Sequence, residues 1–188
     1  MLCAHVQVKM NNFSQALILA AGQGCVQHVE AFLQQPGCDV NAAGNEGRAA
    51  FVYAVRSGNL ACVRAFVNQP SCDVNARDNS ERTALMYAAF CNYTKCARAC
   101  LQQPECDVNA TDINGMTALM YAVQGNNEGC VRACLQRPEC DVNVTNREWR
   151  TVLYDLIMHA RVWIIIPSSG LLLTRQHLNC YLINTSEN

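Results

Sequence analysis

The tetrapeptide Cys-Asp-Val-Asn occurs four times, at Cys38–Asn41, Cys72–Asn75, Cys106–Asn109 and Cys140–Asn143, each copy 34 residues after the last. A fixed period of this size restricts the fold more tightly than composition does. It marks small supersecondary units that cannot bury their apolar faces alone and must stack. Other residues keep the same beat: Pro36, Pro70, Pro104 and Pro138; Ala20, Ala54, Ala88 and Ala122; Tyr53, Tyr87 and Tyr121. Residues in phase serve the stack. The positions that break the rhythm are where individual function is to be sought.

The unit from Asp78 to Ala110 shows the local logic. Asp78 to Arg82 is polar and turn-forming. Thr83 is a helix cap by residue type. Ala84 to Phe90 then predicts a short helix of good helix formers. Asn92 shares its phase with Gly24, Gly58 and Asn126, residues that tolerate the left-handed conformation closing a helix. A second helix is predicted over about Thr94–Gln102, with Cys96, Ala97, Cys100 and Leu101 on one apolar face. The recurring proline stops each second helix at the same point. The in-phase alanines let the first helices of neighbouring units approach closely, and 51% hydrophobic residues supply a core. The asparagine of each Cys-Asp-Val-Asn is expected to bond backbone within its turn.

The chain has 13 cysteines, an odd number, and most stand at repeat phases. No basic and apolar leader precedes the repeats in Met1 to Met10. The cysteines therefore read as small buried hydrophobes in a reducing compartment, and the chain as soluble and cytoplasmic. The net charge of −1 gives no pull towards nucleic acid or acidic membrane. No apolar run approaches the roughly 20 residues that span a bilayer. Cys96/Cys100 and Cys130/Cys134 have the i, i+4 spacing of metal ligands, but zinc needs four ligands and the earlier units carry Phe32 and Phe66 at the second phase. His5, His28, His159 and His177 share no phase or motif with a nucleophile, and no glycine-rich phosphate loop is present. Neither catalysis, a cofactor, a metal nor a small-molecule substrate is expected.

Thr83, Leu85, Ala88, Ala89, Leu101, Asp107, Val108, Asn109 and Ala110 spell T-x-L-x-x-A-A followed by a closing D-V-N-A. Thr117, Leu119, Ala122, Leu135, Asp141, Val142 and Asn143 repeat the pattern. The first unit keeps Leu17, Ala20, Ala21, Gly24, Leu33 and Asp39 to Asn41; the second keeps Ala54, Gly58, Val63 and Asp73 to Asn75. On these residues the chain resembles the ankyrin repeat family. The resemblance implies an all-α solenoid of helix-turn-helix units joined by β-turn or hairpin loops. It divides the chain into an N-terminal lead (1–10), repeats at 11–42, 43–76, 77–110 and 111–144, a degenerate fifth at 145–160, and a diverged hydrophobic C-terminal cap or tail at 161–188. Two departures stand out. The family's T-P-L-H becomes Thr83-Ala84-Leu85-Met86 and Thr117-Ala118-Leu119-Met120, so the turn-to-helix hydrogen bonds supported by that proline and histidine are expected to be lost. An added residue that accommodates the proline lengthens the usual 33-residue unit to 34.

The resemblance implies a non-enzymatic scaffold or adaptor that binds a partner protein on its concave surface, formed by the turn tips and the exposed side of the first helices. The matching anchors are Arg48, Arg56, Asn79, Arg82, Phe90, Ile113, Met116, Gln124, Trp149 and Arg150. Arginine beside exposed apolar side chains fits the make-up of interface anchors. Arg48, Arg82 and Arg150 share one phase, interrupted by Met116. The three tyrosines are expected to pack as a ladder inside the stack. Two other readings stand beside this one: a substrate-presenting part of a larger kinase or ubiquitin-ligase adaptor, and a thiol-based redox or metal sensor.

Overall fold

The computed structural model describes residues 13–152 and 154, and the backbone of 164–166 and 171–173. The N-terminal lead, most of the degenerate fifth unit and most of the C-terminal segment lie outside the described residues. Eight helices are described: α1 (Phe13–Gly22), α2 (Val26–Leu33), α3 (Ala50–Arg56), α4 (Leu60–Val67), α5 (Ala84–Phe90), α6 (Thr94–Leu101), α7 (Ala118–Gln124) and α8 (Glu128–Leu135). They form two layers. The odd helices pack in succession, α1 on α3 on α5 on α7, and the even helices do the same outside them. Each odd helix also packs on the even helix that follows it, which closes one unit. Beyond the array, β1 (Ile164–Ile166) and β2 (Leu171–Leu173) pair antiparallel with Ile164 opposite Leu173, an addition to the helical fold read from the sequence.

Helix α5 runs from Ala84 to Phe90, the stretch its sequence predicts. The Thr83 hydroxyl accepts the amide of Met86 at 3.5 Å, and Thr117 accepts that of Met120 at 3.2 Å. Gly24, Gly58, Asn92 and Asn126 all hold φ between 54° and 71°, the left-handed turn that reverses the chain between paired helices. Ala20, Ala54, Ala88 and Ala122 are at most 1% exposed, so nothing larger than a methyl separates neighbouring inner helices. Leu17, Phe51, Leu85 and Leu119 form the row beside them, and each contributes about 2 kcal/mol by burial.

The lost proline and histidine are replaced by a different tie. The Tyr87 hydroxyl donates to Asp78 Oδ2 at 2.5 Å, and Tyr121 donates to Asp112 Oδ2 at 2.7 Å. The other oxygen of each aspartate accepts two turn amides: Ser80 and Arg82 on Asp78, Asn114 and Met116 on Asp112. Turn and helix are thus fastened through a buried carboxylate.

The Cys-Asp-Val-Asn asparagines reach further than their own turns. Within each turn the aspartate Oδ1 accepts the asparagine amide. The side chain of Asn41 then crosses to the next unit, where its Nδ2 donates to Ser71 O and its Oδ1 accepts Asp73 N, both at 2.8 Å. Asn75 bonds Glu105 O and Asp107 N in the same way, and Asn109 bonds Glu139 O and Asp141 N. The expectation of bonding confined to one turn is corrected: these side chains are rungs between units, because the turns stack within an amide's reach of one another.

Candidate partner-binding face

Backbone hydrogen bonds hold the turn tips in register. Asn79 N donates to Glu46 O at 2.9 Å, Ile113 N to Ser80 O at 3.1 Å, and Arg147 N to Asn114 O at 2.9 Å. This ladder puts the tips and the open sides of α3, α5 and α7 on one face.

Tyrosine rings form the floor of that face and arginines cover them. The Arg48 guanidinium lies 5.7 Å from the Tyr87 ring centroid, and Arg56 approaches the same ring at 5.5 Å. Arg82 lies 5.8 Å from Tyr121 and Arg150 5.3 Å from Tyr154. Arg48, Arg56 and Arg82 thus each rest on the tyrosine of the next unit, and Arg150 on a tyrosine of its own, an attraction between a cation and the ring's negative face. The predicted tyrosine ladder is part of the stack, with Tyr87 buried and Tyr53 donating to Asn45 O at 3.2 Å.

Nine of the ten predicted anchors reach this surface at least in part: Arg48, Arg82 and Arg150 are half-buried, and Arg56, Asn79, Phe90, Ile113, Gln124 and Trp149 are exposed. Met116 is the exception. It is 7% exposed, with Asn146 Nδ2 3.4 Å from its sulfur, so it packs inward against the next turn instead of projecting as an anchor. Its apolar thioether has no charge to hold it at the surface, unlike the arginines at its phase.

Phe90 is 67% exposed and meets Tyr121 edge-on, centroids 6.0 Å apart at 89°. It rims a cavity of about 130 Å³ lined by Arg82, Met86, Tyr87, Phe90 and Tyr121. Met86, Tyr87 and Tyr121 were not legible as site residues, because in-phase residues read as core. The one sequence signal for the cavity is the change from Arg56 to Phe90 at a shared phase. Trp149 is 85% exposed on the last described tip. Its φ of 58° belongs to a turn position where the earlier units carry Gly47, Glu81 and Gly115.

Electrostatics beneath the face follow from burial and partners. Burial alone would raise the Asp78 carboxyl. The Tyr87 hydroxyl, the Arg82 and Ser80 amides and the Arg48 guanidinium outweigh it and hold the group below its ordinary value. Burial and then the Asp112 carboxylate push the Tyr121 phenol up to about 12.

Most of the described cysteines lie elsewhere, on the even helices and in the turns. Cys62, Cys96, Cys100, Cys130 and Cys134 are at most 1% exposed, and no disulfide joins the described cysteines. Desolvation raises Cys62, Cys106 and Cys140 to about 11 and Cys72 to about 12, so little nucleophilic thiolate forms near neutrality. One contact escaped the sequence reading: Cys25 Sγ lies 2.8 Å from His28 Nδ1, one turn apart at the start of α2. Among the described residues no three His, Cys, Asp or Glu side chains are grouped as metal ligands, and no helix is long and apolar enough to cross a membrane.

The family model described as ankyrin repeats (3 copies) matches the chain in overlapping windows, residues 1–78, 17–112, 66–146 and 92–165. A search of curated proteins finds no match. With stacked helix pairs, left-handed inter-helix turns and a ladder of turn tips behind that match, the chain belongs to the ankyrin repeat family, whose repeats generally serve as protein–protein interaction modules.

Proposed function

We propose that this protein is a non-enzymatic scaffold that captures a partner protein on the face made by its turn tips and inner helices. The anchors are Arg48, Arg56, Asn79, Arg82, Phe90, Ile113, Gln124, Trp149 and Arg150. The observation that carries the reading is the exposure of large apolar side chains on that one face: Phe90 at 67%, Ile113 at 41% and Trp149 at 85%. Aromatic residues interleaved with arginine are the composition of binding hot spots. A cytoplasmic location belongs to the same proposal and is supported by the cysteine chemistry: the described cysteines form no disulfide with one another.

The test is replacement of Arg82, Phe90 and Trp149 together by alanine. All three side chains are at least partly exposed, so helical circular dichroism is expected to be unchanged. Capture of the wild-type partner from cell extract, scored by mass spectrometry, is expected to fall at least tenfold, since hot-spot truncations cost about 2 kcal/mol or more each. Unchanged capture by the triple variant refutes this face as the binding site.

A further inference from the structure

We propose that Arg82 is the receptor for a partner carboxylate, and that the cavity beside it takes an adjacent apolar side chain of about leucine size. The partner's contact is then an extended acidic segment with an aspartate or glutamate next to a leucine, methionine or phenylalanine. The inference rests on the reading of this face as protein-binding and names what it binds.

Three arginines, Arg48, Arg82 and Arg150, stand at one phase of the repeat. Arg48 is pinned by an ion pair to Glu46, two residues before it. Arg150 is pinned the same way, with its Nε 3.1 Å from Glu148 Oε2. The residue two before Arg82 is Ser80, which has no charge to offer. Arg82 keeps only the carboxylate contact that Arg48 also makes one unit earlier: its Nε stands 3.7 Å from Asp112 Oδ2, as Arg48 Nε does from Asp78 Oδ2, and that oxygen already accepts the Tyr121 hydroxyl at 2.7 Å. The Nε of Arg82 is buried with no hydrogen-bond acceptor among the described residues. A guanidinium has five N–H donors and reaches full strength against a carboxylate held by two of them. Arg82 lacks that partner in its own turn; its Nε is turned inward, and an incoming anion meets the exposed part of the side chain, which is 38% exposed as a whole.

Arg82 also lines the cavity of about 130 Å³, together with Met86, Tyr87, Phe90 and Tyr121. A cavity of this order, roughly 150 Å³, is known to hold one benzene-sized group. Its existence depends on departures from the repeat. Over Tyr87 two arginines converge, Arg48 and Arg56. Over Tyr121 the second arginine is replaced by Phe90, which stands edge-on and walls a space instead of filling it. Charge supports the same occupant. Arg56 lies on the ring of Tyr87, itself a lining residue, and has no carboxylate within 4.0 Å among the described residues. Arg82 in the wall of an apolar recess, with Arg56 on the neighbouring Tyr87 ring, complements a segment that carries an acid beside an apolar side chain.

The experiment uses the full chain and a phage-displayed library of random dodecapeptides. Selection on wild-type protein is expected to enrich peptides with Asp or Glu within two positions of Leu, Met or Phe. Synthetic, C-terminally amidated versions are expected to lose about tenfold or more in affinity on Arg82→Gln, on Phe90→Ser, and on Glu→Gln in the peptide. The peptide change keeps the test decisive even where a protein variant folds poorly. An absence of enrichment, a consensus without an acid, or affinity indifferent to Arg82→Gln overturns the inference. Acid-free peptides that are lost on Phe90→Ser overturn it while leaving the face as a binding site. Peptides insensitive to Arg82→Gln, Phe90→Ser and Trp149→Ser overturn both.

Discussion

The Nε of Arg48 donates to the Tyr87 hydroxyl at 3.2 Å, and that hydroxyl in turn donates to Asp78 Oδ2 at 2.5 Å. Three residues from two repeats thus share one polar chain, with Asp78, 6% exposed, at its buried end. The hydroxyl is the middle link. Tyr87→Phe keeps the ring beneath Arg48 and Arg56 but leaves a buried carboxylate oxygen short of a donor. It is expected to destabilise the protein by about 1–3 kcal/mol in urea unfolding.

Acid acts on the same chain. The folded Asp78 carboxyl sits below its ordinary value of 3.8. Its contribution to stability is therefore complete above that value and is lost as pH falls below 3.8 towards the lower folded value. Urea midpoints measured from pH 6 down to pH 2.5 are expected to fall less steeply for Asp78→Asn than for the wild type. Parallel curves would remove Asp78 as a source of acid sensitivity.

Asn75 ties two consecutive Cys-Asp-Val-Asn turns, donating to Glu105 O at 2.7 Å and accepting from Asp107 N at 2.8 Å. Asn75→Ala deletes both rungs at once, a loss of about 1–2 kcal/mol since the turn is partly wet. In a stack where each unit is stabilised by its neighbours, the loss also weakens coupling between the second and third units. Amide exchange in α3 and α4 is expected to separate from that in α5 and α6.

Trp149 occupies a left-handed turn position that Gly47 and Gly115 fill without strain. A side chain there costs about 1 kcal/mol. Trp149→Gly is accordingly expected to raise stability by up to about 1 kcal/mol while weakening partner capture. A variant that is both more stable and less able to bind is the signature of a residue kept for contact. A drop in stability would show that the indole packs on the chain instead.

The buried thiols give a last prediction. Free Cys62, Cys72 and Cys106 have ordinary values of 9.0 and folded values raised to about 11 or 12 by desolvation. Their contribution to stability is full below pH 9 and declines as pH rises from there towards the folded values. Iodoacetamide labelling at pH 8 is expected to leave these three cysteines unmodified in the native protein and to reach them in urea. Rapid native labelling would revive the redox-sensor reading.

The helices, their caps and their reversals were legible because each depends on local residue type. Thr83 marks the start of α5, Asn92 and Gly58 mark the reversals, and the alanine phase marks where helices touch. The substitute for the missing proline and histidine was not legible. Tyr87 and Asp78 are nine residues apart, and only folding brings hydroxyl to carboxylate. Asn41 was expected to serve its own turn because a sequence shows intervals along the chain, not distances between stacked copies. Met116 was assigned to the surface by phase alone, and its burial was decided by what the next unit places against it.

By itself the sequence determined the architecture. A 34-residue beat in proline, alanine, glycine or asparagine, and Asp-Val-Asn repeats the same local preferences, and identical units stack in one way. What only the tertiary structure decided is which side chains at the broken phases are engaged. Ser80 in place of glutamate leaves Arg82 without a partner in its own turn, and Phe90 in place of arginine leaves a recess over Tyr121. The first is a relation within one turn, and the recess arises between neighbouring units, where spacing is set by packing and not by position along the chain.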